Sequence, residues 1–325
     1  MLIGSTVTSI SDNGNAVVGS KPTDLLHVMF TRNKTHVQLR QVNTDYITGS
    51  TQIDEALRKS TLGAIISNQK IQAYNNDSTA IVFDMTGVFL SDNKKMSPFD
   101  RNSIYGMYNR TENYQSDCSY ISQIKAFKDN VSIKSCLSYT FSVSNSQGAS
   151  LIKDRPFTAE MTRSIMLLKE KPYRPRMADY RIGVFFTGRE QLGEGAKTTA
   201  PVYYANRWDI QPSDTAAYLR GEKVKPTKQI VFYIDNTFPE KWKPYLREGV
   251  TQWNELFEQI GFKDVVAAKD FPTDDPEFDP DNIKYSCVRY APSSIENAMG
   301  PSWVDPRSGE ILNASVYLSL IHISE

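Results

Sequence analysis

Histidine and cysteine are scarce in this chain, with three of each among 325 residues. Cys118, Cys136 and Cys287 are too few, and odd in number, for the disulfide framework of a small secreted domain. None stands in the C-x-x-C spacing of a zinc site. Cys118 and Cys136 could face each other across a hairpin; a disulfide and a pair of buried thiols both stay open. Net charge is missing too: 37 basic residues balance 37 acidic ones. Nothing in that balance suggests a broad nucleic-acid surface or a polybasic membrane patch. No apolar run approaches the roughly 18 residues of a membrane helix. The opening MLIGSTVTSISDNGN has neither a basic n-region nor a long apolar h-region, so it is not a signal peptide. It reads as the interior of a domain with Met1 an arbitrary start, and says nothing about location.

What is present is a large apolar and aromatic stock: 40% hydrophobic residues, with 17 Tyr and 15 Phe. That is enough for sizeable cores, and the length favours two domains over one. The first two-thirds is strand-rich. DLLHVMF and HVQLRQV flank the polar turn TRNKT as a hairpin, and TAIVFDMTGVFL predicts a further strand. VSIKSCLSYTFSV is the clearest: Val131, Ile133, Leu137, Tyr139, Phe141 and Val143 share one face, opposite Lys134, Cys136 and Ser138. DEALRKSTLGAII and PFDRNSIYGMY read as short helices. SIMLL and YRIGVFF predict strands on either side of KEKPYRPRMAD, whose prolines enforce an extended link.

The pattern changes near residues 225–228. KQIVFYID predicts a strand with Ile230, Phe232 and Ile234 on one face. TFPEKWKPYLREGVTQWNELFEQIGF predicts one long helix, with a capping box at Thr237 and Glu240. Leu246, Val250, Trp253, Phe257 and Ile260 form its apolar stripe; Pro244 lies where it would kink the helix. Gly261 and Phe262 predict a Schellman stop. DVVAAKDF and YSCVRYAP predict strands, and SWVDPRSGEILNASVYL a hairpin turning at Asp305–Gly309. The fold class that follows is α+β: a β-rich antiparallel N-terminal region over 1–225, then an α/β segment over 226–318.

Three stretches resemble the large bacterial zinc-dependent metalloproteases that carry a metzincin-like catalytic domain behind N-terminal domains of unknown function. RPRMADYRIGVF is similar to that family's linker motif, matched by Asp179, Arg181 and Gly183. FPEKWKPYLREGVTQWNELFEQIGF resembles the first helix of the catalytic domain, and GPSWVDPRSGEILNASVYL the hairpin leading to the active-site edge strand. The resemblance implies a zinc metalloendopeptidase of the periplasm, the outer-membrane surface or the extracellular space. It implies peptide hydrolysis by a zinc-activated water, with Zn2+ as cofactor and a peptide or protein as substrate. The family's H-E-x-x-H, two zinc-binding histidines around a glutamate on one helix, is absent here, since His27, His36 and His322 cannot form it. The final LSLIHISE resembles translated sequencing-adapter sequence. The expectation is therefore a fragment: 226–318 is the first part of the catalytic domain and 319–325 a non-native tail. No catalytic and no metal-binding residue lies in the chain. Its expected contribution is an edge strand, Asn313, Ala314, Ser315, Val316 and Tyr317, to which a peptide adds as a further strand. The rival reading is a non-enzymatic β-rich cell-envelope binding module.

Other readings carry less chemistry. His27 and His36 could be cross-strand neighbours on one metal, although core or surface histidines are the common case. TDDPEFDPDN is acidic but lacks the EF-hand glycine and closing glutamate, so it reads as a solvated loop. Asn109 and Asn313 match the N-x-S/T pattern by chance unless the source glycosylates its secreted proteins.

Overall fold

The computed structural model of the protein describes residues 1–11, 16–99, 108–193, 199–292 and 298–319. Strand outweighs helix, 47% against 12%, so sheet faces build most of the core. The chain forms two compact units. Unit 1 comprises Met1–Ala16, Lys21–Asn206 and Asp305–Gly309; unit 2 comprises Val17–Ser20, Arg207–Val304 and Glu310–Glu325. The division expected at 225 thus lies at 206. Trp208, Ile210, Ala217 and Val224 pack in one core with Ile230, Phe262 and Val265, and this shared burial assigns residues 207–225 to unit 2.

Unit 1 is built on an eight-stranded antiparallel sheet. Its strands are β1 (Leu2–Ile10), β2 (Leu26–Asn33), β3 (His36–Gln41), β5 (Ile65–Tyr74), β6 (Ile81–Phe83), β7 (Tyr108–Ala126), β8 (Asn130–Asn145) and β9 (Ser150–Met166). They run in the order β6-β5-β3-β2-β1-β9-β8-β7. The β2–β3 hairpin forms as its sequence predicts. In β8 the alternation holds: Leu137, Tyr139, Phe141 and Val143 are buried in one core with Phe157 and Met161 of β9. The strand read over TAIVFDMTGVFL is shorter. After β6 the Asp84 carboxylate accepts from the Thr86 N–H at 2.8 Å, and this local turn competes with the ladder and starts α2 (Thr86–Phe89). The helix expected around residue 54 is α1 (Thr51–Ser60). The one expected over 98–108 lies largely outside the described residues.

A second, three-stranded sheet of unit 1 has the order β11-β10-β4, with β4 (Tyr46–Thr48), β10 (Phe186–Leu192) and β11 (Thr199–Ala205). The strand predicted over YRIGVFF begins only at Phe186. Asp179 bonds the N–H of Arg181 at 3.0 Å, and the Ile182 N–H closes onto the Asp179 carbonyl at 2.9 Å. This turn replaces the first half of the expected strand.

Unit 2 is an open sheet in the order β13-β12-β14-β18-β15, formed by β12 (Ile230–Ile234), β13 (Val266–Asp270), β14 (Ser286–Tyr290), β15 (Ala298–Met299) and β18 (Val316–Leu318). The first four in that order are mutually parallel; β15 alone runs antiparallel, beside β18. A separate hairpin joins β16 (Ser302–Val304) to β17 (Ile311–Ala314), with Gly309 at φ +77°. A small helix, α3 (Thr215–Leu219), is capped by Asp214.

The long helix between β12 and β13 is instead two: α4 (Lys243–Thr251) and α5 (Asn254–Gln259). The capping box does not form. Thr237 gives its N–H and hydroxyl to Asp235, and Glu240 pairs with Lys243 at 2.6 Å. Pro244 therefore sits in the first turn of α4, where its missing N–H has no partner to lose. The break coincides with Asn254, whose amide bonds both the N–H and the carbonyl of Val266 at 2.8 Å. The stop is as read: Gly261 takes φ +87°, its N–H reaches the Glu258 carbonyl, and Phe262 N–H that of Phe257. The stripe is only half covered. Leu246, Val250 and Phe257 are partly buried against the cores, while Trp253 and Ile260 stay 60% and 57% exposed.

Candidate functional site

In an open parallel sheet the region outside the carboxyl ends of the strands is where ligands bind. In unit 2 that rim includes Tyr290 and Leu318. Of the residues expected to line it as an edge, Val316 and Tyr317 lie in an inner strand, while Asn313 and Ala314 belong to β17 of the separate hairpin. Val316–Leu318 pairs with β14 on one side and β15 on the other. Asn313 is 1% exposed, and its Nδ2 donates to the carbonyls of Ile283 and Tyr285 at 2.9 and 2.8 Å. Its Oδ1 accepts from the Ser315 N–H at 3.1 Å. The Ala314 N–H donates to Ser286 Oγ, and the Cys287 N–H to Ser315 Oγ. The polar side chains of this stretch thus satisfy a neighbouring strand. This also removes Asn313 as a glycosylation site. The outer strand on this side is β15, which two residues of weak pattern did not announce.

Replacing Asn313 with leucine is expected to strip two partly buried carbonyls and one N–H of partners, at about 3 kcal/mol. Trp208, Trp242, Trp253 and Trp303 all lie in unit 2, so urea unfolding followed by tryptophan emission reads this unit alone. An unchanged midpoint would leave Asn313 free for a role in binding.

Next to this strand lies a buried polar group. Arg289 bonds Asp281 at 3.2 Å and Tyr317 Oη at 3.4 Å. Burial works against the cation, but Tyr317, Cys287 and Asp281 outweigh it and raise its pKa. Burial pushes the Cys287 thiol up to about 12, so it is no nucleophile at neutral pH. The group orders the strand and offers no general base.

In the acidic loop, Asp275 and Asp279 accept from the N–H groups two residues on, at 2.9 and 2.8 Å, as Asx turns do. Among the described residues no three His, Cys, Asp or Glu side chains gather around a common point. His27 and His36 lie toward opposite ends of the β2–β3 hairpin, where His36 pairs with Asn33 and Val28 with Gln41, so they cannot share a metal. His322 lies outside the described residues. Cys118 and Cys136 are both free thiols; β7 bulges between Gln115 and Tyr120, and Tyr120 takes the place opposite Cys136. An open groove of about 560 Å³ is lined by Ile65, Ser67, Val88, Lys94 and Lys95. Its cations are engaged, Lys94 by Asp92 and Glu112, Lys95 by Gln41.

His27 carries a pH dependence instead. Burial first, then the Met1 amine and Arg307, lower its pKa from 6.5 to about 4, with Asp305 opposing and Arg189 adding to the shift. The folded state therefore holds His27 neutral while the unfolded chain protonates near 6.5. Stability contributed above 6.5 is lost as pH falls toward 4. The melting temperature of unit 1 should drop between pH 7 and 4.5, and less so in His27→Gln; equal drops would contradict this.

Fold and site define the class: an antiparallel β unit joined in one chain to an open α/β sheet. The chain belongs to the family described as a domain of unknown function, DUF5117, which matches residues 20–213, more than half its length. No curated protein and no solved structure matches it. The family match covers most of unit 1 and stops before β12.

Proposed function

We propose that unit 2 is the leading part of a zinc-metalloprotease catalytic domain of the metzincin-like class, from a secreted or cell-envelope peptidase. The observation that carries this reading is the sheet: parallel β12, β13, β14 and β18, with helix between β12 and β13 and a lone antiparallel strand, β15, outermost. Such an edge offers backbone N–H and C=O groups to an extended peptide, and the chain leaves β18 at the carboxyl rim, where catalytic groups belong in open sheets. Among the described residues no group of side chains fits a zinc site, so no chemical step is assigned to them. The zinc-binding helix would be supplied by sequence following β18. The second reading, a non-enzymatic β-rich binding module of the cell envelope, draws on the exposed aromatic loop of unit 1 described below.

The experiment compares the 325-residue chain with its longer parent. The parent is expected to hold one zinc per chain and to cleave denatured protein in a chelator-sensitive way; the 325-residue chain is expected to do neither. A parent without chelator-sensitive cleavage would sink the proposal.

A further inference from the structure

The segment between β9 and β10 presents apolar side chains to solvent in a density found nowhere else among the described residues. Tyr180 is 97% exposed and Phe185 89%. Met177, Ile182 and Phe186 are each more than half exposed, and Val184 follows at 40%. Soluble proteins rarely expose contiguous apolar patches beyond a few hundred Å² unless they bind something there.

The loop is ordered. The Ala178 N–H donates to the Tyr203 carbonyl at 2.7 Å, the Ala205 N–H to that of Arg176 at 2.8 Å, and the Asn206 N–H to that of Phe185 at 2.8 Å. Asp179 takes Arg181 in a two-pronged grip, with Nε at 2.9 Å from Oδ1 and Nη2 at 2.5 Å from Oδ2. Phe186 stacks edge-on against Tyr203, ring centroids 4.9 Å apart. A partner would meet a preformed surface and would not have to order it.

Charge selects the partner. Residues 169–186 hold five cations (Lys169, Lys171, Arg174, Arg176 and Arg181) against Glu170 and Asp179, in a chain with no net charge. All five cations are exposed. The Asp179–Arg181 pair cancels one charge of each sign, leaving four cations against Glu170. Apolar and aromatic tips that stand almost wholly in solvent, backed by cations, combine the two signals that peripheral membrane binding requires.

We propose that Met177–Phe186 inserts into the headgroup region of an anionic phospholipid surface, with the cations at its base held to the lipid charge. The test is co-sedimentation of the full 325-residue chain with vesicles of phosphatidylcholine alone or mixed with phosphatidylglycerol. The wild type should bind the anionic vesicles at least about tenfold better, with binding falling as salt rises. Tyr180→Ser/Phe185→Ser and Lys171→Glu/Arg176→Glu should each reduce binding about tenfold or more. These positions are solvent-exposed, so the far-UV spectrum and melting temperature should be kept. A wild type that stays in the supernatant overturns the proposal, as do variants that bind equally. A dimer in solution that Tyr180→Ser/Phe185→Ser dissociates, without vesicle binding, would assign the surface to a second copy.

Discussion

Arg163→Ala is expected to destabilise unit 1 by about 3–5 kcal/mol, a large fraction of a domain's stability. Arg163 lies on β9 inside the core, 1% exposed. Its Nη1 donates to the Phe89 carbonyl at 3.0 Å and its Nη2 to the Met96 carbonyl at 3.1 Å. The guanidinium thereby ties α2 and the turn after it onto the sheet. Alanine would leave both carbonyls without these donors and open a cavity among Phe89, Met96 and Tyr139. Burial lowers the Arg163 pKa to about 10, partly offset by Tyr139 and Tyr114, so it is still charged at neutral pH and pays for its own desolvation. For that reason Arg163→Met, which keeps the volume, should cost clearly less than alanine. Urea unfolding followed by far-UV circular dichroism decides it. An alanine variant within about 1 kcal/mol of wild type would mean that these two hydrogen bonds do not hold the element in place.

Gly19→Ala should cost unit 2 about 3 kcal/mol, by two routes. Gly19 takes φ +84°, and a Cβ there would stand 2.4 Å from Tyr317 Cγ and 2.5 Å from Tyr317 Cβ. Those atoms lie at the root of the side chain, inside β18, with the ring under Arg289 at 5.8 Å; they cannot swing away. Gly148 separates the routes. It has φ +85° but open space around it, so Gly148→Ala should cost only the backbone part, about 1 kcal/mol. Tryptophan emission reads the first variant and circular dichroism the second. Equal, small losses would show that residues 17–20 are not packed against β18.

Legibility in the sequence followed the range of the interaction. β8 was readable because one of its faces is buried along most of its length, and a period of two survives any choice of neighbours. The Schellman stop was readable because Gly261, Phe262 and the last turn of α5 are local to one another. The capping box failed because Asp235, two residues before Thr237, competes successfully for the same hydroxyl and N–H. The edge assignment failed at Val316 and Tyr317 for a different reason. A strand's own residues do not state whether a neighbour lies on each side, and the second neighbour, β15, is two residues long. Asn313, expected on the edge strand, is a buried clamp, because a polar residue at an alternating position serves water or a neighbouring carbonyl equally well. In the apolar loop from Met177 to Phe186, Tyr180–Phe186 was read as strand and the residues before it as an extended link. The zero net charge concealed its local surplus of cations.

The proposed function has this chain supply the sheet and the substrate edge of a peptidase whose metal-binding helix follows β18. Sequencing the parent gene past codon 318 tests it most directly. The expected reading is a loop and then a helix carrying H-E-x-x-H, with its two histidines four residues apart so that both fall on one face, and a third ligand downstream. A reading frame that runs on for about a hundred codons, a small domain's length, without that motif would contradict it.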